Sequence, residues 1–324
     1  MNAMRPKIEL HCHLEGAAPP GLVRRLARRN DIDLPGDLFN RQGGFAWTDF
    51  RDFLKAYDLA SSCICCAADY RDVMYEYLKS CAAEGAIYVE VFSSPDHAAA
   101  AGIGYAEHLE GIARGIGDAE RDFGIIGRII VTCVRHLGPR RAMAVADAVV
   151  AEPHPYVVGF GMGGDENQYQ ASDFAPAFDL VSRSGLSTTV HAGEVLGPQS
   201  VHDALDFLPV SRIGHGVRSI EEPALIDRIV EAGITLEVCT GSNLALGIYD
   251  SADRHPLRRL LRAGCRIAFG SDDPPYFNTS IGGEYDRAER DFGLNSDEIA
   301  HINRTAVAAA FCDEATRRTL ESLL

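Results

Sequence analysis

Two kinds of segment alternate along the 324-residue chain. Short runs rich in β-branched residues predict strands, and longer segments with apolar residues every three or four positions predict helices. The predicted strands are residues 8–10, 87–92, 125–134, 157–162, 187–190, 212–213, 234–239 and 266–269. The predicted helices are residues 22–29, 74–83, 106–123, 142–151, 174–184, 200–208, 223–232 and 256–263.

Eight successive βα units predict the architecture. Strands that are apolar on both faces indicate a parallel sheet covered by helices. An open doubly wound sheet usually has fewer strands, nearer six, so the count favours a closed barrel. We therefore predict an α/β fold, a (β/α)8 or TIM barrel, with a helical excursion after strand 1. Residues 1–324 are expected to form one barrel domain.

A glycine-rich stretch, GFGMGG at residues 159–164, offers an alternative. Glycine loops between a strand and a helix can bind dinucleotides, but the required spacing is GxGxxG. This stretch lacks that spacing, and no suitable acidic residue follows a second strand. We therefore reject a dinucleotide site.

Polar motifs lie where six of the predicted strands end. Catalytic groups of such barrels lie at the carboxyl ends of the strands. The motifs are HCH (11–13), GGDE (163–166), HAGE (191–194), GHG (214–216), CTGSN (239–243) and GSDDPPYF (270–277). The barrel prediction therefore gathers these motifs around one mouth.

His11 and His13 are two residues apart and so share one face of a strand. An isolated HxH is more often structural, but His191 and Asp272 at two further strand ends add a third imidazole and a carboxylate. This set suits zinc with an open position for water, with iron or manganese as alternatives. Cys12 would point to the opposite face and is expected to pack in the core.

The number of metal ions follows from the bridging groups available. Two-metal barrels often use a modified lysine at the end of strand 4, and the only lysines here are Lys7, Lys55 and Lys79. A bridging carboxylate such as Glu166 is the remaining alternative. The sequence therefore favours one zinc ion per chain.

Three further polar residues are candidates for chemistry. Glu194 follows His191 by three residues and is predicted to transfer a proton, with a helix N-terminal carboxylate as the alternative. His215, between two glycines, is the predicted electrostatic partner of a hydroxide, with a turn histidine as the alternative. Asp273 adjoins Asp272, so one carboxylate can bind metal while the other meets substrate.

Composition narrows the class of ligand. The formal net charge of -15 argues against a nucleic-acid or anionic membrane surface and fits a small neutral or cationic ligand. No apolar run reaches the ~20 residues needed to span a bilayer, and no signal-peptide core is present, so we expect a cytoplasmic protein. Nine cysteines include a cluster, Cys63, Cys65 and Cys66, without CxxC pairs; we expect reduced thiols. Neither the role of that cluster nor the oligomeric state follows from the sequence.

With these motifs assembled, the chain resembles the adenosine deaminase family of metal-dependent barrel hydrolases, including its adenine deaminase relatives. The resemblance covers about residues 7–311 and rests on HCHLEG, GDE, HAGE, GHG, SN and SDDP in that order. It implies one zinc ion held by His11, His13, His191 and Asp272.

The resemblance also implies roles at a purine. Glu194 protonates the ring nitrogen next to the reacting carbon, and His215 orients the attacking hydroxide. Asp273 contacts the imidazole side of the purine, and the backbone of Gly164 contacts the pyrimidine edge. The products are the 6-oxopurine and ammonia.

The motifs indicate different substrates. Glu15 stands where adenosine deaminases usually carry a shorter acid on the ribose, and its length is typical of the adenine branch. HAGEVLGPQS and RIGHG resemble the adenosine branch instead. We therefore expect adenosine or deoxyadenosine as the substrate, with adenine as the main alternative and a modified adenine or adenine nucleoside as the third.

The last candidate feature is an apolar helical face. Phe50, Phe53, Leu54 and Tyr57 recur at helical spacing in the excursion after strand 1. They are either ordinary core or, as the resemblance suggests, an apolar lid that contacts substrate. A purine-binding barrel without turnover and a two-metal hydrolase of phosphoesters or amides are the rival classes.

Overall fold

The computed structural model describes residues 5–324, and its centre is a parallel β-sheet rolled into a barrel. The strands neighbour one another in sequence order from β1 to β8. They are β1 (Lys7–His13), β2 (Ala86–Ser93), β3 (Ile126–Val134), β4 (Val157–Gly163), β5 (Ser187–Ala192), β6 (Arg212–His215), β7 (Thr235–Val238) and β8 (Arg266–Phe269). The predicted (β/α)8 barrel is confirmed.

The barrel closes between its first and last strands. Cys12 pairs with Asp272 across this seam. The His13 amide donates to the Asp272 carbonyl at 2.9 Å, and the Asp272 amide donates to the His11 carbonyl at 2.9 Å. The seam therefore lies directly at the predicted metal residues.

Helices surround the strands and fill the excursion after β1. Those within the described residues are α1 (Pro20–Arg29), α2 (Phe50–Ser61), α3 (Ala67–Ala83), α4 (Pro95–Ala100), α5 (Tyr105–Phe123), α6 (Pro139–Ala151), α7 (Ala171–Arg183), α8 (Pro198–Phe207), α9 (Pro223–Glu231), α10 (Thr240–Ala245), α11 (Leu257–Arg262), α12 (Pro274–Phe277), α13 (Ile281–Arg290), α14 (Ser296–Ala309) and α15 (Glu314–Leu323). No helix in this part of the chain is long and apolar enough to cross a membrane.

Proline begins six of these helices, including α6 at Pro139 and α8 at Pro198. Proline suits the first helical position because its fixed φ matches the helix and its missing N–H would have no partner there. Five of the eight predicted helices began two to seven residues late, because a polar or proline-led first turn carries no apolar period. Strand β1 also extends past Leu10 to His13, so both histidines belong to the strand.

The glycine-rich stretch at 159–164 belongs to strand β4 and its end. Its alternate glycines face the barrel interior. A Cβ at Gly159 would lie 2.6 Å from the ring of Phe311, and one at Gly161 would lie 3.0 Å from Phe92. A Cβ at Gly163 would lie 3.1 Å from His13 and 3.2 Å from His191. These glycines leave room for rings, so the stretch is part of a barrel strand and not a loop between a strand and a helix.

The cysteines pack as small apolar residues or lie near the surface. Cys12 is fully buried in the core between sheet and helices, as predicted from its position between the histidines. All nine thiols are free in the described structure.

Candidate active site

Four predicted metal residues converge at the mouth of the barrel. His11 and His13 end β1, His191 lies in β5, and Asp272 follows β8. One nitrogen or oxygen atom of each lies within 4.8 Å of those of the others. His191 Nε2 is 3.1 Å from both His11 Nε2 and His13 Nε2. Asp272 Oδ1 is 3.3 Å from His13 Nε2.

The hydrogen-bond partners of these rings show that the cluster fits a cation. His191 Nδ1 lies 2.9 Å from the Met162 carbonyl, which can only accept, so the hydrogen sits on Nδ1 and Nε2 presents a lone pair. His11 Nδ1 lies 2.7 Å from Glu237 Oε2, which orients that ring in the same way. Lone pairs that face each other at about hydrogen-bond distance repel unless a positive charge lies between them. Three imidazoles and one carboxylate are the ligand types of zinc.

The pKa values around the cluster follow from burial and from neighbouring charge. Burial opposes ionisation of Asp272, but bonds from His11 and His13 outweigh it and hold its pKa well below the usual range. Burial lowers the pKa of His191 far below its usual value. Burial also opposes a charged His11, yet bonds to Asp272 and Glu237 raise its pKa to about 9. The cluster thus holds an ionised carboxylate that stabilises positive charge beside it.

A buried ion-pair network beneath the cluster was missed by the sequence analysis. Glu237 is fully buried in β7, and its Oε1 lies 2.5 Å from Arg212 Nε, while Arg212 Nη1 lies 2.7 Å from Glu90 Oε2. These contacts are ion pairs rather than aligned hydrogen bonds. Thr189 Oγ1 also donates to Glu237, at 3.0 Å. The signal was available: each of the strands β2, β6 and β7 carries one charged residue, namely Glu90, Arg212 and Glu237.

A second buried carboxylate supports the opposite side of the cluster. Glu9 lies in β1 two residues before His11, and its Oε1 accepts from the backbone N–H of Ser271 at 2.8 Å. Tyr77 Oη donates to its other oxygen at 2.9 Å. Burial raises the pKa of Glu9 to about 8. Because Ser271 immediately precedes Asp272, Glu9 fixes the backbone that carries the carboxylate of the cluster.

Two residues of the site adopt left-handed backbone conformations although neither is glycine. The φ angle is +59° at His215 and +63° at Asp272. Such conformations are costly for residues with a Cβ and concentrate at functional sites. Each side chain leaves its strand end at an angle that a regular strand would not give.

Glu194 lies in the loop after β5, buried beside the cluster. Burial and the nearby Asp272 raise its pKa well above the usual range, which favours the protonated form of the carboxyl group. The loop is held from below by Glu166, whose oxygens accept from the amides of Val195 and Leu196, each at 2.7 Å, and of Gly193 at 2.5 Å. Glu166 is not among the residues whose ligand atoms converge in the cluster, and these N–H groups and Ser200 bind its oxygens.

His215 ends β6 and faces both the acid and the cluster. Its Nε2 is 3.6 Å from Glu194 Oε2 and 4.0 Å from Asp272 Oδ2. Burial lowers the pKa of His215 to about 3, so the ring is neutral.

Asp273 points away from the cluster into the cavity. Oδ1 of Asp273 is buried and finds no hydrogen-bond partner among residues 5–324. Burial and the charges of Asp272 and Glu194 raise its pKa well above the usual range. Gly16 leaves room for the Asp273 carboxyl group, because a Cβ at position 16 would lie only 1.7 Å from Asp273 Oδ1. A protonated, unpaired carboxyl group can donate a hydrogen bond to a ligand.

The cavity above these residues has an apolar wall and acidic edges. Phe50, Phe53, Leu54 and Tyr57 of α2 all line it, as does Gly164. Phe53 also packs on Phe277 with ring centroids 5.0 Å apart, so the face serves both as core and as cavity wall. Five carboxylic acids line the cavity, and no lysine or arginine of the described chain does so; the acids are Glu15, Asp58, Glu194, Asp272 and Asp273.

Glu15 is only 2% exposed and is held by protein donors. Its Oε1 accepts from Ser93 Oγ at 2.7 Å and from the Ser94 amide at 3.1 Å. Tyr57 Oη lies 3.5 Å from Oε2, too far for a strong bond. His108 Nε2 supports Ser93 Oγ from behind at 2.8 Å. One oxygen of Glu15 therefore stays available to a ligand.

A parallel eight-stranded barrel with three imidazoles and a carboxylate at its carboxyl end defines the class of metal-dependent barrel hydrolases. Comparison with known sequences gives the family: the profile described as adenosine deaminase matches residues 6–324. The chain therefore belongs to the adenosine deaminase family, whose members are hydrolytic deaminases of purines.

Individual relatives are more specific. A protein named adenine deaminase from Agrobacterium fabrum is 48% identical, over 97% of this chain and 96% of its own. The crystal structure of adenine deaminase from Arthrobacter aurescens superposes with a TM-score of 0.91 at 28% identity, covering 98% of each chain. An amidohydrolase from Burkholderia ambifaria with bound zinc gives a TM-score of 0.90 at 28% identity, covering 99% of this chain and 89% of that one.

Proposed function

We propose that this chain hydrolyses adenine to hypoxanthine and ammonia with one zinc ion. The expectation of adenosine as the main substrate is not confirmed. The alternative fits better, because close relatives that span the whole chain are named adenine deaminase. The observation in this molecule that carries the proposal is the placement of Glu15 beside Asp273.

His11, His13, His191 and Asp272 would hold the zinc ion. Their converging lone pairs and buried negative charge support this assignment. A zinc ion at such a site supplies Lewis-acid chemistry that makes hydroxide available near neutral pH.

The amino group of adenine is a poor leaving group, so the ring must gain a proton while the nucleophile attacks. Glu194 is the proposed acid: its pKa is raised by burial and by Asp272, and it lies at the edge of the cluster, 3.6 Å from His215 Nε2. It delivers its proton to the ring nitrogen next to the reacting carbon. His215 faces the same space and stabilises the attacking oxygen, and the backbone of Gly164 contacts the pyrimidine edge.

The free base is favoured over a nucleoside at the imidazole side of the purine. Asp273 donates to the unprotonated imidazole nitrogen, and the free oxygen of Glu15 accepts from the N–H of the other. A nucleoside lacks that N–H because the glycosidic bond replaces it. Its sugar would also have to pass between Glu15 and Tyr57, which approach to 3.5 Å.

The charge of the cavity argues against nucleotides. A phosphate group needs cationic partners, and the cavity wall offers carboxylic acids instead. We therefore expect no measurable activity on adenosine monophosphate.

A substrate panel tests the proposal. Zinc-loaded protein is assayed by the change in ultraviolet absorbance with adenine, adenosine, deoxyadenosine, adenosine monophosphate and N6-modified adenines. We expect kcat/KM for adenine to exceed that for adenosine at least about tenfold, because the Glu15 oxygen loses its partner in the nucleoside. Glu194→Gln protein, prepared identically, controls for contaminating deaminase. An adenosine value equal to or above that of adenine would overturn the proposal.

A further inference from the structure

Three buried polar groups form a chain from the start of α11 to His215. The Leu257 amide donates to His255 Nδ1 at 3.2 Å. His255 Nε2 lies 3.1 Å from Asn243 Oδ1, and Asn243 Nδ2 lies 3.3 Å from His215 Nδ1. Asn243 and His215 are fully buried, and His255 is 4% exposed. No step of the proposed reaction has yet used Asn243 or His255.

The direction of every hydrogen bond in this chain follows from its backbone end. A peptide N–H can only donate, so His255 Nδ1 must accept the bond from Leu257. Burial lowers the pKa of His255 to about 3, so the ring is neutral and carries one hydrogen. That hydrogen must sit on Nε2, which then donates to Asn243.

The orientation of the Asn243 amide is therefore fixed. Its oxygen accepts from His255, and its nitrogen must face His215. The reverse orientation would set the Asn243 amide nitrogen against His255 Nε2, so two donors would meet in a buried place. Asn243 thus donates to His215 Nδ1.

The last member of the chain faces the reaction space. Since His215 Nδ1 accepts from Asn243, Nδ1 carries no hydrogen, and the hydrogen of the ring lies on Nε2. In the described part of the chain that atom has no hydrogen-bond partner, and it lies 3.6 Å from Glu194 Oε2. An imidazole N–H is thereby presented where the attacking oxygen would lie.

We propose that Asn243 and His255 are positioning residues that hold His215 as its Nε2–H tautomer. His215 then acts as a hydrogen-bond donor to the attacking oxygen and not as a base that accepts its proton. The part played in the reaction rests on the proposed function, whereas the tautomer does not.

The tautomer is measured directly by two-dimensional 1H–15N NMR of protein with 15N-labelled histidine, using the couplings of ring nitrogens to carbon-bound hydrogens. Signals of His215 and His255 are assigned by their loss in His215→Gln and His255→Gln. We expect both rings to carry hydrogen on Nε2. A His215 ring with hydrogen on Nδ1 in the wild-type protein would overturn the proposal, and this result needs no folded Asn243 variant.

The kinetic test reverses the direction of the hydrogen bond between residue 243 and His215. A carboxylate can only accept, so in Asn243→Asp the hydrogen of His215 moves to Nδ1 and Nε2 no longer donates. At about pH 8.5, where each ring carries one hydrogen, we expect kcat to fall at least about 10²-fold, because the wrong tautomer of a catalytic histidine costs up to about 10⁴-fold. KM and zinc content should stay within about twofold. His255→Gln should lower kcat less.

Asn303→Asp is the matched control. Asn303 is 2% exposed, and its Nδ2 donates to the Pro6 carbonyl at 2.8 Å, away from the cavity. This variant carries the same chemical change and a similar structural cost, so its kcat should be that of the wild type. Equal losses of kcat in Asn243→Asp and Asn303→Asp would show a general structural effect and refute the proposal. If adenine is not the substrate, kcat is measured on the purine that the panel identifies, and the NMR result stands regardless.

Discussion

The floor and the wall of the active-site cavity are built in different ways. The floor consists of side chains from the ends of β1, β5, β6 and β8, which neighbouring strands hold in a continuous ladder. The wall comes from α2 and the turn at Glu15, which contact the barrel mainly through side chains. Ser93 Oγ of β2, which donates to Glu15 Oε1 at 2.7 Å, makes one such contact.

This difference separates reaction from specificity. Positions in the ladder cannot move by one residue without turning every side chain to the other face. The wall can change its residues without disturbing that ladder. We therefore expect floor variants to abolish turnover and wall variants to change which purine is accepted.

The largest effect is expected from the floor itself. His13→Ala or Asp272→Ala removes one of four metal-binding groups, so bound zinc should be lost and turnover should fall to the uncatalysed background. Zinc content and adenine turnover measure this. His202→Ala, on the outer face of α8, is the control. Full activity in metal-free protein would exclude the zinc site altogether.

Within the floor, Glu194→Gln should distinguish the role of proton donor from the role of metal binding. The amide cannot deliver a proton, so kcat should fall at least about 10²-fold while zinc content stays unchanged. Turnover close to that of the wild type would assign the proton to another group.

The wall is tested at Glu15. In Glu15→Gln, the oxygen that accepts the purine N–H loses its charge. We expect kcat/KM for adenine to fall by about 1.5–3 kcal/mol, the range for a hydrogen bond to a charged group. Zinc content should not change, because Glu15 is outside the metal cluster. A fall in adenosine turnover alone would instead place a sugar hydroxyl at Glu15.

His108 supports the cavity wall through Ser93, and its burial should make the free energy of unfolding sensitive to acid. Burial lowers the pKa of His108 to about 3, against an ordinary value near 6.5. Below about pH 6.5, His108 binds a proton in the unfolded chain but not in the folded protein. The free energy of unfolding therefore decreases as the pH falls. Between about pH 7 and pH 5 this one residue should cost about 2 kcal/mol of unfolding free energy.

Urea unfolding at the two pH values, compared with His108→Gln, measures that cost. The variant is expected to be less stable near neutral pH but to lose less stability on acidification. An identical pH dependence in both proteins would contradict the neutral, buried state of His108.

The sequence predicted the floor better than the wall for a physical reason. Period-two spacing placed His11 and His13 on one face, and the barrel then gathered His191 and Asp272 at the same end. Glu237 and Arg212 were missed because charged residues inside strands look like interruptions until their partners on other strands are known. The bonds that hold Glu15 join residues almost 80 positions apart, so no local pattern reveals them.

The seam between β1 and β8 has a consequence for protein synthesis. His11 and His13 leave the ribosome early, His191 follows midway, and Asp272 arrives only when most of the chain has been made. The proposed ion joins the first and last strands, so its capture completes only when the circle of strands closes. We expect chains made in zinc-starved cells to remain open at this seam and to be degraded by proteases, which pulse labelling with and without a chelator would reveal.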